Sequence, residues 1–522
     1  MLACGRHDGA PRASLPGSAG TAVRARADPS GLPLLASALW VDGACVAGGV
    51  TMVYLQVASD DQGRVAHGVK EFCLNYDGQV LYHRAFAHLV ARQEKLFFLL
   101  FIFILPFQRV TFVGDNLLGI QGLKPFNLLS AVVVAYLLFK STPVRPMDKI
   151  EMKSMRIFLL YFATFTIAFI RSIPNAPLFH SRFPEVFPES YPDFILSMYV
   201  VSAFYVLPFL FILRRLCSFH ELEKITTVIC FSMLLLSVTF IILVLMNPSV
   251  LVSGNRDDVS ELVSGSRNEM AVLCETYYGI HYNTIGTIYI CTVPLLLYRV
   301  ITRKGLWIVP LALSLVAVLL LQSRSALVTV ALSCCLLLVQ RRNYVILFFG
   351  AAVLGITAFL WAGPTIDALL SVGFQNSSDF SADAVLTGRV DGIWIPLLDE
   401  WTSDIGLFLF GAGRNGMITS ELWYTGALFH AGHAHNALID FFVDCGAIFT
   451  SVLIVLLFVG LATALRVGRK LDNDLYWALF ICLFGFGIGM LTEREIFPTI
   501  DNMYVFPIVA MMINLARLRY RV

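Results

Sequence analysis

The sequence predicts an all-α, polytopic membrane protein with about twelve spanning helices and one long external loop. Three observations predict it. Hydrophobic residues make up 57% of the 522-residue chain and charged residues only 14%, with a mean hydropathy of +0.74, a composition that no soluble surface accommodates. The apolar residues gather in runs of roughly spanning length, and basic residues collect in alternate connections between the runs. A segment in lipid must satisfy its own backbone hydrogen bonds, so each run is expected to be a helix.

Residues 1–93 stand apart, being rich in Ala, Gly, Arg and Pro, whereas Phe, Leu, Ile and Val dominate from Lys95 onward. The change separates an N-terminal extension at 1–93, expected to be dispensable or non-native, from a multi-pass core at 94–522. Leu34–Val57 is long enough to span, but Asp42 and several glycines make it a poor span. Nor does it have signal-peptide form, because roughly thirty residues of mixed charge precede it.

The apolar runs of the core are 95–108, 125–139, 157–170, 194–213, 225–247, 282–298, 305–322, 325–340, 344–363, 437–465, 475–492 and 502–516. Several fall short of the ~20 residues needed to cross and must borrow flanking residues. Charge orients them. The connections after every second run collect nineteen basic residues, among them Arg145, Arg214, Arg299, Arg341, Arg469 and Arg517, against six acidic ones. The opposite set holds ten basic residues and twenty acidic ones. The first set is therefore expected in the cytoplasm, with both ends of the core inside and the stretch Pro364–Ala434 outside. The net charge of +2 carries no information about partners, because only its distribution does. Eleven cysteines lack metal-like spacing, and those inside apolar runs, such as Cys230, Cys291, Cys334, Cys335 and Cys482, are expected to pack.

The external stretch is too long for a connector and is the expected place for chemistry. It contains Thr387-Gly-Arg-Val-Asp-Gly-Ile-Trp394, then Leu407-Phe-Leu-Phe-Gly-Ala-Gly-Arg-Asn-Gly416, then His430-Ala-Gly-His-Ala-His-Asn436, which leads into the tenth run. Eight acidic residues surround its two cations, Arg389 and Arg414. Asp440 and Asp444 are the acidic residues inside the apolar runs, and with Asn436 they repeat every four residues on one helical face. Charge in lipid is costly, so that face is expected to look into protein or a cavity. His430, His433 and His435 lack a carboxylate or cysteine partner at metal-binding spacing, and no metal is expected. No Gly-rich nucleotide loop is present, and nothing points to nucleic acid.

Ser323-Arg324-Ser325 at a helix entry, Gly388-Arg389 with Trp394, Leu409-Phe-Gly-Ala-Gly413, and His435-Asn436 followed by Gly446 together resemble the O-antigen ligase and polysaccharide polymerase family of bacterial inner-membrane proteins. The match runs over about 280–490. Phe449 departs from the small residue or Tyr that ligases often carry after that glycine. The resemblance implies transfer of a glycan from undecaprenyl pyrophosphate to an acceptor hydroxyl at the periplasmic face, without metal or cofactor. The acceptor would be lipid A core or a growing glycan. It implies His435, Arg389 and Arg324 as catalytic residues, with Arg414, Asn436 and Asp440 on the substrate.

The chemistry accords with these residue types. A base must take the hydroxyl proton, and positive charge must meet the departing pyrophosphate. His435 stands at a helix start whose positive end favours the neutral imidazole. A guanidinium fork binds phosphate oxygens through two hydrogen bonds. Simpler readings stand beside these: Arg324 as an interface anchor among membrane lipid headgroups, Arg389 paired with Asp391, Arg414 in a turn that its glycines permit, and Asp440 in a structural pair. A transporter is the different class, disfavoured because the other runs carry no ionisable residue near their middles.

Overall fold

A computed structural model describes residues 93–110, 124–139, 147–184, 186–216, 218–248, 250, 259–303, 305–342, 389–425, 433–491 and 496–519, without the side chains of 138–139, 259–268 and 324. The chain divides into two units, Met1–Val90 and Ala91–Val522. Leu34–Val57, the run 344–363 and His430 lie outside the described residues.

The described residues are about 85% helical and contain no strand. Five of their helices are long and apolar enough to cross a membrane: Lys149–Arg182, Tyr191–Arg215, Phe219–Met246, Tyr282–Arg303 and Ala437–Leu471. Pro125–Leu137, Gly305–Leu320, Ser325–Gln340 and Asp474–Met490 are shorter apolar helices. About twelve full spans are expected from the sequence, and these shorter helices fall below the ~20 residues a span needs.

Tyr282–Arg303 forms the axis of the bundle. Its apolar window is 89% buried, against Phe219–Met246, Ile308–Leu320, Arg324–Gln340 and Asp474–Met490. Small residues let these helices approach: a Cβ on Gly286 would lie 2.8 Å from the Cβ of Ala326, and one on Gly485 2.6 Å from Ser333 Oγ. Close approach supplies dispersion attraction where lipid tails are as apolar as leucine. Ser237 Oγ lies 3.1 Å from the Tyr289 hydroxyl and 3.0 Å from Ser314 Oγ, so three helices share a network that satisfies their buried hydroxyls.

The basic residues that mark one set of connections are not all turned toward headgroups. Arg517 is 3% exposed; its Nη2 donates to Glu151 Oε2 at 2.6 Å and its Nε to Asp148 Oδ2 at 2.8 Å. Arg214 Nη1 donates to the other oxygen of Glu151 at 2.6 Å. Arg299, 2% exposed, pairs with Glu223, and Arg341 pairs with Asp474. Arg517, Arg214 and Arg299 thus meet buried carboxylates, and the Arg341–Asp474 pair is partly exposed; removing one partner of a buried pair would leave an uncompensated charge. Each pair joins helix ends from the same charge-defined set.

Two apolar runs are broken rather than continuous. In Tyr191–Arg215 a π-helical turn at Leu196–Val200 precedes an interruption at Tyr205–Val206, where Pro208 has no N–H and its ring opposes the carbonyl four residues back. Ala437–Leu471 is broken at Gly446, which has φ 77° and ψ 177°. The residues after the break are enough to cross ~30 Å at 1.5 Å each. Asp440 and Asp444 precede the break and are 8% and 9% exposed, so both expected intramembrane charges are enclosed by protein in a helical segment that crossing does not require.

Candidate functional site

The loop Leu407–Gly416 and the break at Gly446 form one joint. Asp404 caps the helix Ile405–Phe410, accepting from Gly406 N–H at 2.6 Å and Leu407 N–H at 3.1 Å. Gly411, at φ 68°, ends it. Because Gly446 turns away from the helical path, carbonyls of the preceding turn are open to the loop. Ala412 N–H donates to Val443 O at 2.9 Å and Gly413 N–H to Asp444 O at 3.0 Å. Trp401 Nε1 adds 3.1 Å to Val443 O, and the Asp444 carboxylate accepts from Gly416 N–H at 2.8 Å. A Cβ on Gly411 would overlap the backbone of Asp444–Cys445, and one on Gly446 that of Leu409–Phe410. The two glycines thus permit one mutual backbone contact.

Lys149–Ser172 completes the joint. Arg414 N–H donates to Ala168 O at 3.0 Å, and Arg171, whose side chain is exposed, donates from Nη2 to Gly411 O at 2.6 Å and from Nη1 to Phe410 O. Arg414, expected on substrate, is enclosed by protein. It is 5% exposed, its Nη1 reaches Met198 O and Ser202 Oγ, and its guanidinium lies 5.4 Å from the Phe165 ring centroid. Carbonyl and hydroxyl acceptors and the ring face offset part of the cost of burying this guanidinium.

The second unit is the turn His433–Asn436. His435 is half-buried and has φ 53°, a left-handed conformation uncommon outside glycine, Asn, Asp and His. Three side chains hold its peptides, and a fourth caps the helix that follows. Ala434 N–H donates to Asp440 Oδ1 at 2.6 Å, while Ala434 O accepts from Trp394 Nε1 at 2.7 Å. His435 N–H donates to His433 Nδ1 at 3.2 Å, and the two imidazoles lie 4.1 Å apart. Asn436 Oδ1 accepts from Leu438 and Ile439 N–H at 3.0 and 3.3 Å, and its Nδ2 donates to Leu491 O at 3.2 Å. Asn436 and Asp440, expected on substrate, are here the helix cap and the staple of the turn that carries His435.

Arg389 opens a π-helical turn, Val390–Trp394, in which Ile395 N–H bonds back to Val390 O; such turns recur at functional sites. Arg324 begins the helix Arg324–Gln340, behind Ser323, whose Oγ donates to Asn283 Oδ1 at 3.1 Å; its side chain is outside the described residues. That helix packs on Asp474–Met490 with Ser333 and Thr329 against Gly485. Counting equal steps along the pair brings the Arg324 end level with Leu491, the partner of Asn436. The backbones of Arg324 and Asn436 therefore approach the same end of the bundle, and Arg389 stands at the start of the turn that ends at Trp394, whose Nε1 bonds Ala434 O.

Sequence reasoning missed His433, Arg171 and the docking role of Asp444. The four-residue repeat of Asn436, Asp440 and Asp444 identified an inward face but not its partners. No known family model matches the chain, and no curated protein matches it.

Proposed function

We propose that the chain is an inner-membrane glycan transferase of O-antigen ligase type, moving a glycan from undecaprenyl pyrophosphate to an acceptor hydroxyl at the periplasmic face. His435 takes the acceptor's proton as the hydroxyl oxygen bonds to the anomeric carbon. The bond from that carbon to the pyrophosphate oxygen breaks, and Arg389 and Arg324 neutralise the charge left on the lipid. No metal or cofactor enters. The observation that carries the reading is the left-handed His435 in a turn held by Asp440, Trp394 and His433, with Asn436 capping the helix that follows. Backbone strain enforced by several independent partners is characteristic of sites where geometry matters more than stability.

The sidedness is supported by the contacts at the helix ends. Glu151, Arg214, Arg517, Glu223, Arg299, Arg341 and Asp474 pair only within the basic-rich set in the contacts described above. The bonds of Asn436, Trp394 and Arg171 fall within the other set. The basic-rich set is assigned to the cytoplasm by the positive-inside rule, which puts the His435 turn outside.

The experiment is the glycolipid profile of a deletion strain. Loss of polymer from lipid A core is the expected result. Accumulation of single repeat units would instead identify a polymerase extending one lipid-linked glycan with another, and an unchanged profile would end the glycan reading.

A further inference from the structure

Resting on the reading of His435 as the base, we infer that His433 is a positioning residue that sets the left-handed turn of His435 by accepting its backbone N–H. The contact runs from residue 435 back to a side chain two positions earlier, at 3.2 Å. This is the connection that Asn or Asp makes in an Asx turn, with imidazole Nδ1 standing where a side-chain oxygen would be. A ring nitrogen that accepts a hydrogen bond carries no proton, so His433 is the neutral tautomer protonated at Nε2.

The consequence is geometric. The bond closes a small ring around Ala434, whose N–H and O are fixed from two other elements by Asp440 and Trp394. The peptide between 434 and 435 is thus gripped at both ends, Ala434 O by Trp394 and His435 N–H by His433, and the His433 bond is the local one of the two that set its rotation and so where the His435 ring is carried. The 4.1 Å separation of the two rings places His433 beside the base without requiring it to exchange a proton with substrate. The sequence pattern His-x-His invites a metal reading, but Nδ1 of the first histidine is already committed to the backbone.

The test compares His433→Asn with His433→Ala in the full-length protein. Turnover is measured per donor-binding site, so that poorly folded protein does not count. Asn restores an acceptor two residues before the N–H, and His433→Asn is expected to keep most of the wild-type kcat. His433→Ala is expected to lose on the order of tenfold in kcat with the donor KM within about twofold, the pattern of a misplaced catalytic group. A second measurement does not depend on activity: ¹⁵N spectra of histidine-labelled protein in detergent, with His433 identified by its absence in His433→Asn, should show Nδ1 unprotonated at neutral pH. An Asn variant no better than Ala, a fully active Ala variant, or a protonated Nδ1 overturns the inference. If His435→Asn proves fully active, the base reading fails, and the tautomer of His433 still decides whether the turn is built as inferred.

Discussion

At the scale of single residues, the backbone of His435 changes how its role must be tested. Alanine at φ 53° adds a left-handed strain of about 1–2 kcal/mol to the loss of the ring, so the two effects are confounded. Asparagine tolerates that conformation and is the cleaner substitution. His435→Asn is expected to lose ~10²- to 10⁴-fold in kcat with donor binding and thermal stability preserved, and an active Asn variant would remove the general base. Arg389→Ala is expected to abolish transfer at normal protein levels. Arg389→Lys should rescue poorly, because an ammonium does not reproduce a bidentate phosphate contact; full activity of the Lys variant would show that charge alone matters. Asp440 accepts Ala434 N–H, so Asp440→Asn, which keeps an acceptor, should be milder than Asp440→Leu. Leaving that buried N–H unsatisfied costs about 1–3 kcal/mol, measurable as a lower melting temperature for the Leu variant; identical melting of the two would deny the staple.

At the scale of elements, the break in Ala437–Leu471 positions everything near it. Gly446 permits contact with Leu409–Phe410 that no side chain would allow. Gly446→Ala is therefore expected to expel the loop from the helix, adding backbone overlap to a left-handed strain of ~1–2 kcal/mol. Limited proteolysis reports it as cleavage within 404–420. Gly460, later in the same helix, has open space around it, and Gly460→Ala should be neutral or stabilising by up to ~1 kcal/mol. Equal protease resistance of the two variants would mean that the joint does not hold the loop. The glycine pair was visible in the sequence, as was the inward face of Asn436, Asp440 and Asp444. Their meeting was not, because no local property of residues 407–416 encodes an acceptor at Val443.

At the scale of the whole molecule, the charge pattern and the buried ion pairs make one prediction about topology. Tags placed at residues 145, 303 and 469 should report the cytoplasm and tags within 375–385 the periplasm. A periplasmic report at 303 would invert the helix pair that follows and take Arg324 off the active side. Arg299 and Arg517 belong to the basic-rich set on which this expectation rests and are also partners of Glu223 and Glu151, so residues of that set fasten helix ends to one another.

Hydropathy and charge are sums along the chain, and lipid punishes every unpaired peptide regardless of what lies nearby. The amino-acid sequence alone therefore determines that the described core is helical, that several helices are apolar enough to cross a membrane, and which connections share a charge set. The burial of Arg414 among Met198, Ser202 and Phe165, the docking at Gly446 and the anchoring of the His435 turn by Trp394 were decided only by tertiary structure. Each depends on groups brought together from distant segments, and in each the choice lies between partners of similar local chemistry. A loop arginine suits a phosphate as well as a carbonyl, and a helix-start histidine suits solvent as well as a substrate hydroxyl. Only the three-dimensional positions of the competing acceptors and donors select between them.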